Sequence, residues 1–238
     1  MSREGSEELD RSTLPVVAFV SPKGGAGKTT AALVLALGLV ERGAQVAMID
    51  SDPNKPLLAW SELPDRPAGI TVHPAPTMQD VSIALREARR REPCWIILDT
   101  EGSMRGALAF VPVRPDLILT PLAGSMLEAT QAVKAAEMVK EFGHRGGRQV
   151  PHRCLLTRIP AAIRTRSLTS VVERLREEGI EFLPTALLEK EASRALFSIG
   201  GGFPGLHAAG VSGTITAQRN AEAYVETVLD LVEKRPAP

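Results

Sequence analysis

Cysteine is scarce. Cys94 and Cys154 are the two cysteines among 238 residues, they stand in separate apolar stretches, and no CxxC or Cys/His cluster surrounds either. Neither a disulfide framework nor a zinc site is indicated, and buried free thiols are expected. Net charge is missing too, because 28 basic residues balance 28 acidic ones. Any hold on nucleic acid must then come from a local patch and not from overall attraction. No apolar run reaches the roughly 18 residues of a membrane span, and the opening MSREGSEELDRSTL lacks the apolar core of a secretory signal. A cytoplasmic protein without a membrane anchor is the expectation. No internal repeat divides the chain, and its length suffices for one sizeable core. Residues 1–14, polar and charged, read as a flexible tail, and 15–238 as one domain.

The most informative stretch that is present runs from Val16 to Thr30, VVAFVSPKGGAGKTT. An apolar strand leads into a glycine-rich loop and then into a helix, the order a phosphate-binding loop requires. Gly27-Lys28-Thr29 fits the strict pattern, but Pro22 stands where the leading glycine belongs, and the glycines have moved inward to Gly24 and Gly25. The physics survives the change. Residues with little or no side chain (Gly24, Gly25, Ala26, Gly27) let successive backbone N–H groups turn toward one anion, and the helix N-terminus at Thr29 and Thr30 adds partial positive charge. Lys28 is placed to reach the β- and γ-phosphates, and the Thr29 hydroxyl to ligate Mg²⁺. Lys23, before the glycines, is an additional lysine that the strict pattern does not explain.

Beyond this loop the chain alternates strands with helices. Gln45 to Asp50 (QVAMID), Ile70 to His73, Cys94 to Asp99 (CWIILD), Asp116 to Leu122, His152 to Thr157 and Glu181 to Leu183 read as strands. Helices are expected over Thr29 to Arg42, in a short stretch after SDPNK, and over Met78 to Arg91, Glu128 to Phe142, Ser167 to Glu178 and Ala217 to Glu233. Strands and helices at this spacing predict an α/β fold, a doubly wound, mostly parallel sheet flanked by helices. The REARRRE run ending the third helix reads as a solvated helix end. Residues 199–215, with six glycines, read as a flexible connection.

In an open α/β sheet, ligands bind beyond the carboxyl ends of the strands. Three acids stand there. Asp99 ends CWIILD, the position from which a nucleotide hydrolase holds its Mg²⁺. Asp50 and Asp52 follow the QVAMI strand two residues apart. Asp52, on the loop beyond the strand, is the candidate to orient an attacking water; an Asx turn before Pro53 is its purely local alternative.

Lys23-Gly-Gly-Ala-Gly-Lys28-Thr29, with its extra lysine and displaced glycines, resembles the deviant Walker A loop of the ParA/MinD family of ATPases. IDSDPN (49–54) is similar to that family's second-strand motif, and IILDTEG (96–102) to its Walker B strand. Within the family, SPKGGAGKTT, DSDPNKPLLAW and LLEKEASRAL are most similar to the ParA-type branch of agrobacterial virulence C operons and to related plasmid partition ATPases. The resemblance implies ATP and Mg²⁺ as ligands and a homodimer that closes around ATP. Lys23 would reach the partner's phosphates, Lys28 and Thr29 would bind phosphate and Mg²⁺, and Asp52 would position the hydrolytic water. Asp50 would support the Mg²⁺ shell, Asp99 would be the Walker B acid, and Arg158, Pro184 and Thr185 would surround the adenine. Thr157 stands where relatives often carry an asparagine that reads the base.

A slow ATPase, stimulated by a ParB-like or relaxosome-type partner protein, is implied, as is association with the nucleoid through non-specific DNA binding. Arg145, Arg148, Arg164 and Arg166 are candidate phosphate contacts for that DNA. The cargo expected is plasmid, chromosomal or conjugative-transfer DNA. The alternatives are an ATP-driven positioner of a carboxysome or chemoreceptor cluster, or a nucleotide-binding regulator with negligible hydrolysis. An iron–sulfur relative such as the nitrogenase iron protein would need interface cysteines, and a MinD-like membrane anchor would need a basic amphipathic terminal helix that LDLVEKRPAP does not supply.

Overall fold

The computed structural model describes residues 14–90, 94–103, 108–123, 126–146, 149–159, 166–188 and 191–233. Seven strands form one sheet: β1 (Val16–Phe19), β2 (Gln45–Asp50), β3 (Ile70–Pro74), β4 (Cys94–Asp99), β5 (Leu117–Leu122), β6 (His152–Ile159) and β7 (Leu187–Leu188). Their order is β3-β2-β4-β1-β5-β6-β7, with every pairing parallel. The helices are α1 (Lys28–Glu41), α2 (Pro56–Ser61), α3 (Met78–Arg89), a 3₁₀ turn over Leu108–Val113, α4 (Met126–Gly146), α5 (Arg166–Glu177), α6 (Glu191–Ile199), α7 (Phe203–Ala208) and α8 (Thr214–Glu233).

A parallel sheet must be covered on both faces, so its inner strands are apolar at every position and feed two cores by alternation. Val17 and Phe19 of β1 join Met48, Ile97 and Leu119 in the core beneath α1, α6, α7 and α8. Val16, Ala18 and Val20 join Ile49, Ile96, Leu98 and Ile118 in the core beneath α3 and α4. A smaller cluster, with Cys154, Val171 and Leu175, fills the space under α4 and α5. Helix α1 is apolar nearly all round because it lies between the sheet and α8. The two helices approach so closely that a Cβ on Gly38 would sit 2.5 Å from Val225 Cγ2.

Three local expectations are corrected. The expected strand at Glu181 to Leu183 is a single bridge between Phe182 and Cys154. Leu183 N donates to Cys154 O, but Pro184 follows without an N–H to extend the ladder, and pairing resumes only at Leu187. The glycine-rich stretch 199–215 is ordered. Gly200 and Gly201 take φ of 90° and 66°, which only glycine adopts cheaply, and turn the chain from α6 into α7. Helix α7 then buries Phe203 and Leu206 and has a proline in its first turn. Finally, α4 runs past the expected end at Phe142, through Gly143, as far as Gly146. The expected tail lies, except for Leu14, outside the described residues.

Candidate functional site

The loop between β1 and α1 leaves the sheet at its centre, at the carboxyl ends of the strands. Gly25 and Gly27 sit at φ of 86° and 85°, and Gly27 caps α1 with no side chain bonded to the first turn and no acid within it. The opening N–H groups of a helix have no intrahelical acceptor, so those of Lys28, Thr29 and Thr30 form a positively polarised rim suited to an anion. Before the glycines, the Ser21 hydroxyl donates to Lys23 O at 2.8 Å and pins the bend in which the Lys23 side chain is exposed.

A second loop lies against the first. Lys23 pairs with Ser103 in an antiparallel bridge, and a Cβ on Gly102 would fall 2.5 Å from Gly24 Cα. The segment leaving β4 thus holds the phosphate loop backbone to backbone, a contact that only glycine at 102 permits.

The acids take distinct places. Phe19, Asp99 and Asp50 are register partners across β1, β4 and β2, so Asp99 lies beside the root of the phosphate loop. Its carboxylate is fully buried, and neither oxygen has a hydrogen-bond partner of ordinary geometry. Burial pushes its pKa up to about 7, against the nearby Thr29 hydroxyl and Lys28 ammonium. Lys28 is itself buried, which lowers its pKa, while the charges of Asp99, Asp52 and Glu101 oppose that shift. A buried carboxylate with no hydrogen bond of ordinary geometry, beside a helix N-terminal threonine, is a costly arrangement. It suits a hydrated cation, and the hard oxygen donors of Asp99 and Thr29 fit Mg²⁺, which keeps several waters and takes few protein ligands. Among the described residues no three His, Cys, Asp or Glu side chains cluster as a complete metal cage.

Asp50 is differently engaged. Its Oδ2 accepts from Leu57 N at 2.9 Å and Leu58 N at 3.2 Å, and its Oδ1 from Asp52 N at 3.2 Å. Both oxygens therefore anchor the first turn of α2 and the loop that carries Asp52, and burial raises the pKa of this acid too. Asp52 adopts the Asx turn: its Oδ1 accepts from Asn54 N at 2.8 Å and from the Asn54 amide at 2.9 Å. It lies beyond β2, half-buried and close enough to Lys28 for their charges to interact.

Beside the loop, a pocket is lined by Gly27, Thr30, Thr157, Arg158, Leu187, Leu188, Ser193 and Arg194. It contains Arg158, one of the residues the resemblance sets around a base, together with the β7 leucines and the α6 pair Ser193-Arg194, which the sequence does not single out. Pro184 and Thr185 are not among its lining residues. The Thr185 hydroxyl instead meets that of Thr227 on α8 at 2.9 Å.

The sequence model of the family described as VirC1 protein matches residues 14–234. The chain belongs to the VirC1 family. It is 30% identical over 216 residues to the protein ParA of Rhizobium radiobacter, covering 90% of this chain and 96% of that one. It is 27% identical over 187 residues to the protein virC1 of the same organism, covering 77% and 80%. Among solved structures, a putative plasmid partition protein of Borrelia burgdorferi bound to AMPPNP superposes with a TM-score of 0.64 at 16% identity, covering 92% of this chain and 99% of that one. The fold is that of ParA/MinD-type P-loop NTPases.

For this VirC1 family member, no helix among the described residues is long and apolar enough to cross a membrane. Of the four arginines expected on DNA, Arg148 and Arg164 lie outside the described residues, as do the side chains of Arg145 and Arg166 at the ends of α4 and α5.

Proposed function

We propose that the chain is a ParA-type ATPase that forms an ATP-dependent dimer, binds DNA without sequence preference, and hydrolyses ATP slowly to move or position plasmid, chromosomal or conjugative-transfer DNA. The observation that carries this reading is the pairing of an uncapped α1 N-terminus with the buried carboxylate of Asp99, which has the Thr29 hydroxyl and Lys28 ammonium near it but no hydrogen bond of ordinary geometry. The first suits a phosphate and the second a hydrated cation. Family membership and a plasmid-partition structure of the same fold support the cargo.

In this reading the N–H groups from Gly24 to Thr30 and the Lys28 ammonium hold the triphosphate. The Thr29 hydroxyl and Asp99 carboxylate hold Mg²⁺, which when bound neutralises charge on the phosphate oxygens. Asp52 orients the water, and Asp50 supports the Mg²⁺ shell indirectly by fixing the loop that bears Asp52. Arg158 flanks the base, and Lys23, exposed at the edge of the loop, reaches the partner's phosphates. Phosphate release from ATP in Mg²⁺ tests the core of the proposal. Unsubstituted protein should turn over, accelerated by a ParB-like or relaxosome-type partner, and Lys28→Ala should fall to background. Equal release by both would overturn it.

A further inference from the structure

The carboxyl end of β6 reaches the phosphate loop through one side chain. Thr157 Oγ1 donates to Ala26 O at 2.7 Å, a contact between residues 131 apart, and Thr157 is 2% exposed. The same side chain sits below Gly27, where a Cβ would meet Thr157 Cβ and Oγ1 at 3.5 Å. The strand is bent to deliver it. Thr157 and Ile159 pair with the consecutive residues Leu187 and Leu188, so Arg158 is an extra residue on β6, at φ of 54°. Bulges and left-handed non-glycine residues persist where the surroundings over-determine them, commonly beside functional sites.

The hydrogen bond has a geometric consequence. In a trans peptide the C=O and the following N–H point in opposite directions, so fixing Ala26 O toward Thr157 aims the Gly27 N–H away from it. The Ala26-Gly27 peptide has a glycine at 25 and another at 27, and both sit at positive φ. With so little side chain to resist it, this peptide is free to rotate unless something outside the loop holds it. A threonine hydroxyl has one hydrogen, and here Ala26 O takes it.

We propose that Thr157 is a positioning residue for the phosphate loop: its hydroxyl locks the Ala26-Gly27 peptide so that the Gly27 N–H faces the phosphates, and it does not read the base. This rests on the nucleotide reading above. The test is calorimetric binding of Mg²⁺-ATP and of Mg²⁺-tripolyphosphate, which has phosphates but no base, to wild type, Thr157→Val and Thr157→Ser. Valine keeps the shape and removes the donor; serine keeps the donor. Thr157→Val should weaken both ligands by a similar factor, about five- to tenfold for one buried hydrogen bond, and Thr157→Ser should stay within about twofold of wild type. A loss for ATP with none for tripolyphosphate would make Thr157 a base reader and overturn the proposal. So would unchanged binding of both. If the valine variant does not fold, Thr157→Ala carries the same comparison. Failure of the wild type to bind either ligand would instead contradict the nucleotide reading itself.

Discussion

Asp99 is held where its own charge is disfavoured. Its pKa is about 7 in the fold against an ordinary 3.8, so between those values the folded chain holds a proton that the unfolded chain has lost. Stability is therefore lost as pH rises through that window, and the penalty persists above it. Asp99→Asn removes the charge. The ligand-free variant should be more stable than wild type at pH 8, by at most about 4 kcal/mol, the linkage limit of that shift, with the gain vanishing near pH 4. Its Mg²⁺-dependent ATP turnover should be lost. Thermal melts at the two pH values check the first half, and a variant no more stable at pH 8 would remove the argument that this carboxylate is kept for a cation. Gly102 permits the other close contact. Gly102→Ala puts a Cβ against backbone atoms that cannot rotate away, so the phosphate loop must shift; ATP affinity should fall at least about tenfold, roughly 1.4 kcal/mol, in a titration where the fold, read by circular dichroism, is retained.

Among the elements, the ones that local pattern specifies were legible. VVAF followed by glycines, Lys28 and Thr29 predicts strand, loop and helix, and acids at the ends of QVAMID and CWIILD predict their neighbourhood once the strands are parallel. What escaped was decided by contacts distant in sequence. Nothing near Thr157 announces Ala26, and nothing near Gly24 announces Gly102. Leu187, Leu188, Ser193 and Arg194 line the pocket because β7 pairs with the bulged end of β6, and a two-residue strand gives no periodicity to read. The stretch 199–215 misled because glycine content suggests flexibility, whereas Gly200 and Gly201 are there to turn the chain. Phe203, a proline in the first turn and Leu206 carried the helix signal. Leu206 is fully buried, so Leu206→Ala should cost about 2–4 kcal/mol in a denaturant titration; a neutral result would return this stretch to a loose connection.

At the scale of the whole molecule, the sheet brings the phosphate loop, the Asp99 carboxylate and the Asp52 loop together at the carboxyl ends of its inner strands, with Lys23 exposed beside them. The chain has no net charge, so DNA binding in this account comes from local arginines, doubled by dimerisation. Random-sequence duplex should be retained only with ATP, and its affinity should fall at least about a hundredfold between roughly 50 and 200 mM salt. Retention that ignores ATP would separate DNA binding from the switch. Exposure suits Lys23 to act across an interface, whereas buried Lys28 is confined to its own site. Sedimentation of the Asp52→Ala chain with Mg²⁺-ATP, with and without Lys23→Ala, tests the dimer most directly. Asp52→Ala should form a stable ATP-dependent dimer, and the double variant should remain a monomer that still binds ATP. An ATP-bound Asp52→Ala monomer, or a double variant that dimerises equally well, would contradict this reading.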